Sequence, residues 1–110
     1  MFKVVFYKSV NGIEFVRDFL KNELSDDDRK TVGDALQTVQ YGFPNVTMPL
    51  VSHVVDDIHE VRVHISDKRI VRILFCHVDG FLVLLHGFVK KNQETPLQDL
   101  RLAKSRRKNL

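Results

Sequence analysis

The chain has 110 residues, 44% hydrophobic and 28% charged, with a net charge of +3. That balance suits one soluble globular domain over residues 1–110 and argues against wholesale disorder. No apolar run approaches the roughly 20 residues that span a bilayer, Met1–Tyr7 lacks signal-peptide features, and the single Cys76 cannot form an internal disulfide. A cytoplasmic protein without a membrane partner is expected.

Residues 2–7 are rich in β-formers and read as a short strand. Asn11-Gly12-Ile13-Glu14 has a form related to a capping box and predicts a helix starting there, with Ile13, Val16, Leu20 and Leu24 as its apolar stripe. Ser25-Asp26-Asp27-Asp28 predicts the cap of a second helix with acids at its positive end. The acids read as caps because no glycine and distal glutamate stand in calcium-loop register. Val32, Leu36 and Val39 form this helix's stripe, and Gly42 and Pro44 end it.

After Pro49 the period changes. Leu50–Val55 is a short apolar run. Ile58–Ile65 alternates, with Val61, Val63 and Ile65 on one face and Glu60, Arg62 and His64 on the other. Ser66-Asp67-Lys68 reads as a turn, and Arg69–Val78 as an apolar strand interrupted by Arg72. Asp79-Gly80 is the strongest hairpin signal in the chain, with Phe81–Val89 as the return strand. Thr95-Pro96-Leu97-Gln98 predicts a cap, a proline at the first helical position and a closing helix to about Arg107. The expected fold is α+β: a small antiparallel sheet packed against N-terminal helices, with a C-terminal helix.

Charge is unevenly placed. Residues 90–110 hold seven lysines and arginines against Glu94 and Asp99, a net of +5, which leaves −2 for the rest. Such a segment suits a polyanion or an acidic partner, though solvated basic tails are common.

A two-residue Asp79-Gly80 loop pairs Val78 with Phe81 and, carried along the hairpin, sets Arg72 opposite Gly87. There the arginine has room to extend. The preceding hairpin can place Arg62 beside Arg72, and paired arginines repel unless an anion lies between them. A phosphate would serve; so would Glu60, in a purely structural arrangement. The same parity puts Lys91 on the Arg72 side, with Lys90 left open. His64 shares a face with Arg62 and can act as acid or base. His86 is expected opposite Ile73, on the other face, packed or hydrogen-bonded. Cys76 reads as a buried filler. No histidine or cysteine spacing matches a helical metal pair or a zinc finger, so neither metal nor other cofactor is expected.

Four stretches carry a resemblance: "HEVRV" (His59–Val63), "VRILF" (Val71–Phe75), "VLLHGFVKKNQETP" (Val83–Pro96) and "LAKSRRK" (Leu102–Lys108). In order, they resemble the RelE/HigB superfamily of toxins from toxin–antitoxin systems, in particular its phage-derived HigB-like branch. The resemblance implies a RelE-like fold and a metal-free endoribonuclease that cuts mRNA presented by the ribosome. It implies a cognate helix-turn-helix antitoxin as partner, with operator DNA reached only through it. Arg62, Arg72 and Lys91 or Lys90 match the family's cationic cleft; His64 joins them from strand parity, and Lys90, Arg101, Lys104 and Arg107 are expected to hold RNA. Arg72→Ala is expected to abolish toxicity and leave the fold intact. Better-known relatives use a tyrosine or histidine near the C-terminus for proton transfer, and residues 90–110 contain neither. The alternatives are a non-catalytic RNA- or protein-binding module on the same fold, or a phage accessory protein that binds a partner through its basic tail.

Overall fold

The computed structural model describes residues 1–90 and 95–110. In chain order it contains β1 (Lys3–Phe6), α1 (Phe15–Glu23), α2 (Asp26–Gly42), β2 (Val51–Val55), β3 (Ile58–His64), β4 (Ile70–Val78), β5 (Phe81–Lys90) and α3 (Leu97–Lys108). The strands form one sheet in the order β1-β5-β4-β3-β2. All neighbours are antiparallel except β1, which returns parallel to β5 at the edge. The α+β architecture is as expected. The parallel edge strand is an addition that local sequence pattern does not specify.

Helix α1 begins at Phe15 rather than at Asn11. Residues 9–13 fold into their own turn. The Gly12 N–H bonds the Ser9 carbonyl, the Ile13 N–H bonds the Ser9 hydroxyl, and Gly12 has a φ of 83°. A left-handed residue cannot continue a right-handed helix, so Ile13 leaves the stripe and is 42% exposed. Helix α2 follows its sequence signals: the Ser25 hydroxyl accepts the Asp28 N–H at 3.2 Å. Asp28 does more than complement the helix dipole. Its carboxylate accepts the Ser66 N–H and hydroxyl and an Arg69 guanidinium N–H at 2.8–3.1 Å, tying the Ser66–Lys68 turn to α2. The Ser66 hydroxyl, then its backbone N–H, hold the Asp28 carboxyl below its usual range.

The sheet is buried on both faces. On one, Val16, Leu20, Val32, Leu36 and Val39 of the N-terminal helices meet Val61, Val63, Val71, Ile73, Phe75, Leu82 and Leu84. On the other, Ala103 of α3 packs with Ile58, Leu74, Cys76, Val83 and Leu85. Burial pushes the Cys76 thiol up to about 11, so the reactive thiolate is scarce. The native protein should resist iodoacetamide at mildly alkaline pH and react fully in guanidinium; rapid native alkylation would contradict this placement. At the margin of the helix-covered face, His59 stacks on Phe75 and meets Phe43 edge-on. Burial, then the neighbouring His53, push the His59 pKa below its ordinary value.

The Asp79-Gly80 hairpin forms as expected, with φ of 49° and 84°, the pair of left-handed conformations that a type I′ turn requires. Its register holds only through Phe75 opposite Leu84. Leu74 then pairs with His86, so β5 carries one extra residue, a β-bulge. Every partner beyond it shifts. Arg72 lies opposite Phe88, not Gly87, and His86 lies opposite Leu74, not Ile73.

Gly87 therefore makes no room for Arg72. It faces the N-terminal helices, where an added Cβ would sit 3.0 Å from the Phe19 ring. Gly87→Ala should cost about 1–3 kcal/mol through overpacking. Urea denaturation reads this directly, and the cost should shrink in a Phe19→Ala background. Among the described residues no helix is long and apolar enough to cross a membrane.

Candidate functional site

Alternation on three strands gathers the site on the face that α3 partly covers. Arg62, Arg72 and Phe88 form one cross-strand row; His64, Ile70 and Lys90 form the next. The expected Arg62–Arg72 neighbours are thus real, and His64 lies one step beyond Arg62. The bulge moves Lys90 onto the Arg72 side, the position expected for Lys91. It also brings His86 onto that side, correcting the opposite-face expectation. Lys91 lies outside the described residues.

Glu60 stands between the arginines. Its Oε1 accepts from an Arg72 terminal nitrogen at 3.3 Å and lies 3.9 Å from Arg62 Nε. Its Oε2 accepts the Thr95 hydroxyl. Glu60 is 3% exposed and Arg72 fully buried, the largest such side chain among the described residues. Buried charges persist only when paired and hydrogen-bonded, and here one carboxylate accepts two hydrogen bonds and stands within ion-pair range of a second guanidinium. Thr95 was expected to cap α3. Pro96 occupies the cap position instead, with no side-chain cap bond, because the Thr95 hydroxyl is turned to the buried carboxylate. Arg62 keeps 16% of its side chain exposed, and His64 is exposed at the strand end.

A second cluster fastens α3. His86 Nε2 lies 2.6 Å from Asp99 Oδ1, and its Nδ1 faces an Arg106 nitrogen at 3.2 Å. The guanidinium can only donate, so Nδ1 accepts and Nε2 carries the proton toward Asp99. Arg106 also donates to the Leu85 carbonyl at 2.8 Å and covers the Phe15 ring at 4.0 Å. Burial lowers its pKa. His86 is thus hydrogen-bonded, as expected, with both nitrogens engaged. Nothing in the local sequence links His86 to Asp99 or Arg106; only the docking of α3 does so.

The basic residues of α3 do not all join the arginine pair. Arg101 and Lys104 are exposed. Arg107 donates to Asp57 at 2.8 Å, a bond that raises its pKa. It lies with Lys104 and Lys108 along a crevice of about 390 Å³ beside the β2–β3 turn, at the opposite end of β3 from His64. That crevice mixes its cations with Asp56 and Asp57, and Glu60 and the buried middle of the sheet separate it from the arginine pair.

Comparison with family models finds a match, phage-derived protein Gp49-like (DUF891), over residues 18–108. The chain belongs to the Gp49-like family. The match covers α2, all of β2 to β5 and α3, and so includes Glu60, Arg62, His64, Arg72 and Lys90. The family is one of RelE-like toxins. No curated protein matches the chain significantly. In this Gp49-like chain the arginine pair, its carboxylate and the strand-end Lys90 and His64 form a place where the matched strands bring several charged side chains onto a partly open face. An arginine pair can neutralise the charge that develops on a phosphate in flight, and it needs no metal to do so.

Proposed function

We propose that this Gp49-like protein is the toxin of a toxin–antitoxin pair, a ribosome-dependent, metal-independent mRNA endoribonuclease of the HigB-like branch. The observation that carries the reading is the cross-strand Arg62–Arg72 pair on strands that the family match covers. In the proposed reaction the 2′-hydroxyl of a nucleotide attacks the adjacent phosphorus. The bond to the 5′-oxygen of the next nucleotide breaks, giving a 2′,3′-cyclic phosphate and a 5′-hydroxyl. Arg62, with Lys90 or Lys91, stabilises the pentacoordinate charge at the surface, and Arg72 adds its positive field from beneath, beside Glu60. His64, exposed at the strand end, or Glu60 moves the proton from the 2′-hydroxyl toward the leaving oxygen. Arg101, Lys104 and Arg107 track the RNA backbone as point charges. The ribosome presents the mRNA in the cytoplasm, and a helix-turn-helix antitoxin neutralises the toxin and carries any contact with operator DNA.

The test is inducible expression in bacteria with colony counts and mapping of mRNA 5′ ends. Growth arrest with new, codon-phased ends is expected. Normal growth and unchanged transcripts, with the protein soluble, would overturn the reading. One observation favours a second: the complete burial of Arg72 against Glu60 suits a degenerate toxin that binds RNA without cutting it. Salt-sensitive RNA binding without growth arrest would select that reading.

A further inference from the structure

On the helix-covered face, remote in register from the arginine pair, two histidines meet across the edge of the sheet. His53 of β2 and His59 of β3 are direct antiparallel partners. Their ring centroids are 5.3 Å apart. Five residues separate them, and a two-residue turn brings them together, so no helical or zinc-finger spacing announces the pair.

The intervening turn orients the His53 ring. His53 Nε2 lies 2.6 Å from the Asp56 backbone oxygen and donates to it, which leaves Nδ1 with its lone pair. His53 thus has the outer shell that metal-binding histidines commonly have: one ring nitrogen donates to a carbonyl, fixing the tautomer and presenting the other nitrogen. His59 Nδ1 is buried without a hydrogen-bond partner among the described residues. A buried acceptor with no partner costs stability unless something occupies it.

The spacing fits as well. With metal–nitrogen bonds of about 2.0–2.1 Å and a tetrahedral angle, two imidazole centroids sharing one zinc ion lie about 5.2 Å apart. The His59 ring is held by Phe75 stacked at 5.5 Å and Phe43 edge-on at 5.1 Å. Preorganisation of that kind lowers the cost of binding. Both histidines border a crevice of about 340 Å³ lined also by Thr47, Met48 and Ser52, which gives room for water at the two remaining coordination positions.

We propose that His53 and His59 form a site for a borderline divalent transition metal of the zinc class, stapling edge strand β2 to β3. Imidazole suits zinc, copper and nickel; magnesium and calcium prefer oxygen. The site is independent of the proposed RNA chemistry. A metal here clamps an edge strand that otherwise has a pairing partner on one side alone.

The test uses the full chain without a histidine tag and Zn²⁺ alone as probe. Calorimetric titration should show one ion per chain in the micromolar range. Long-range ¹H–¹⁵N spectra should show the Nδ1 resonances of His53 and His59 moving together, with His64 and His77 unmoved. His53→Ala and His59→Phe should each weaken binding about tenfold or more, and His64→Ala should leave it unchanged. His53 is exposed, so its variant keeps the test valid should His59→Phe misfold. Absence of saturable binding at millimolar zinc, or undiminished binding in His53→Ala, would overturn the proposal.

Discussion

Glu60→Ala is expected to cost about 3–5 kcal/mol of folding stability, the range for breaking a buried ion pair from one side. That is a large part of the roughly 5–15 kcal/mol typical of a domain. The substitution removes the carboxylate that Arg72 and Thr95 share, and with it the neutralising charge beside a fully buried guanidinium. It also releases Thr95, which ties the start of α3 to β3 across 35 residues of sequence. Glu60→Gln should fall between wild type and alanine, because the amide oxygen can still accept one bond but carries no charge. Thr95→Val should lose only about 1 kcal/mol, the net worth of an ordinary hydrogen bond. Urea denaturation with a common m-value measures all three. If Glu60→Ala costs under about 1 kcal/mol, Glu60 does not organise this site, and the structural account of the arginine pair fails with it.

The sequence made some of this legible and hid the rest for definite reasons. Local signals spoke to local structure. Ser25 capped α2, Asp79-Gly80 closed its hairpin, and the alternation of Ile58–Ile65 put Glu60, Arg62 and His64 on one face. The Arg62–Arg72 neighbours followed because the connection between their strands is short and no bulge intervenes. The β5 bulge defeated the next step. A register counted from a turn holds until an extra residue is inserted, and neither Leu85 nor His86 advertises one. That single insertion exchanged Gly87 for Phe88 opposite Arg72, and Lys91 for Lys90 on the arginine side. Tertiary demand overrode local propensity at Thr95, whose hydroxyl satisfies a buried carboxylate instead of a helix end. The His86–Asp99–Arg106 cluster had no local signal at all, since it exists only once α3 docks on β5.

Arg62→Ala, rather than Arg72→Ala, is expected to separate chemistry from folding. The two arginines are neighbours, but their surroundings differ. Arg72 is fully buried and forms part of the core by volume. Its truncation leaves a cavity and takes a cation from beside a buried carboxylate, two of the mechanisms behind large destabilisation. The sequence-based expectation that Arg72→Ala leaves the fold intact is therefore replaced: that variant should lose toxicity and stability together, and its silence in a growth assay would say little about catalysis. Arg62 retains contact with solvent, and its Nε lies 3.9 Å from Glu60, a looser tie than the 3.3 Å from Arg72. Arg62→Ala should melt well above Arg72→Ala and reduce ribosome-dependent mRNA cleavage by about 10²–10³-fold, the usual cost of removing one preorganised donor from a developing anion. Arg62→Lys should recover only part of that rate, because a point charge replaces a planar fork. Cleavage of a defined message on purified ribosomes, run beside thermal melts, gives both numbers. Wild-type cleavage by an Arg62→Ala protein with a wild-type melt would remove Arg62 from the proposed reaction. It would leave Glu60 and Arg72 as an ion pair that holds β3, β4 and the start of α3 in place.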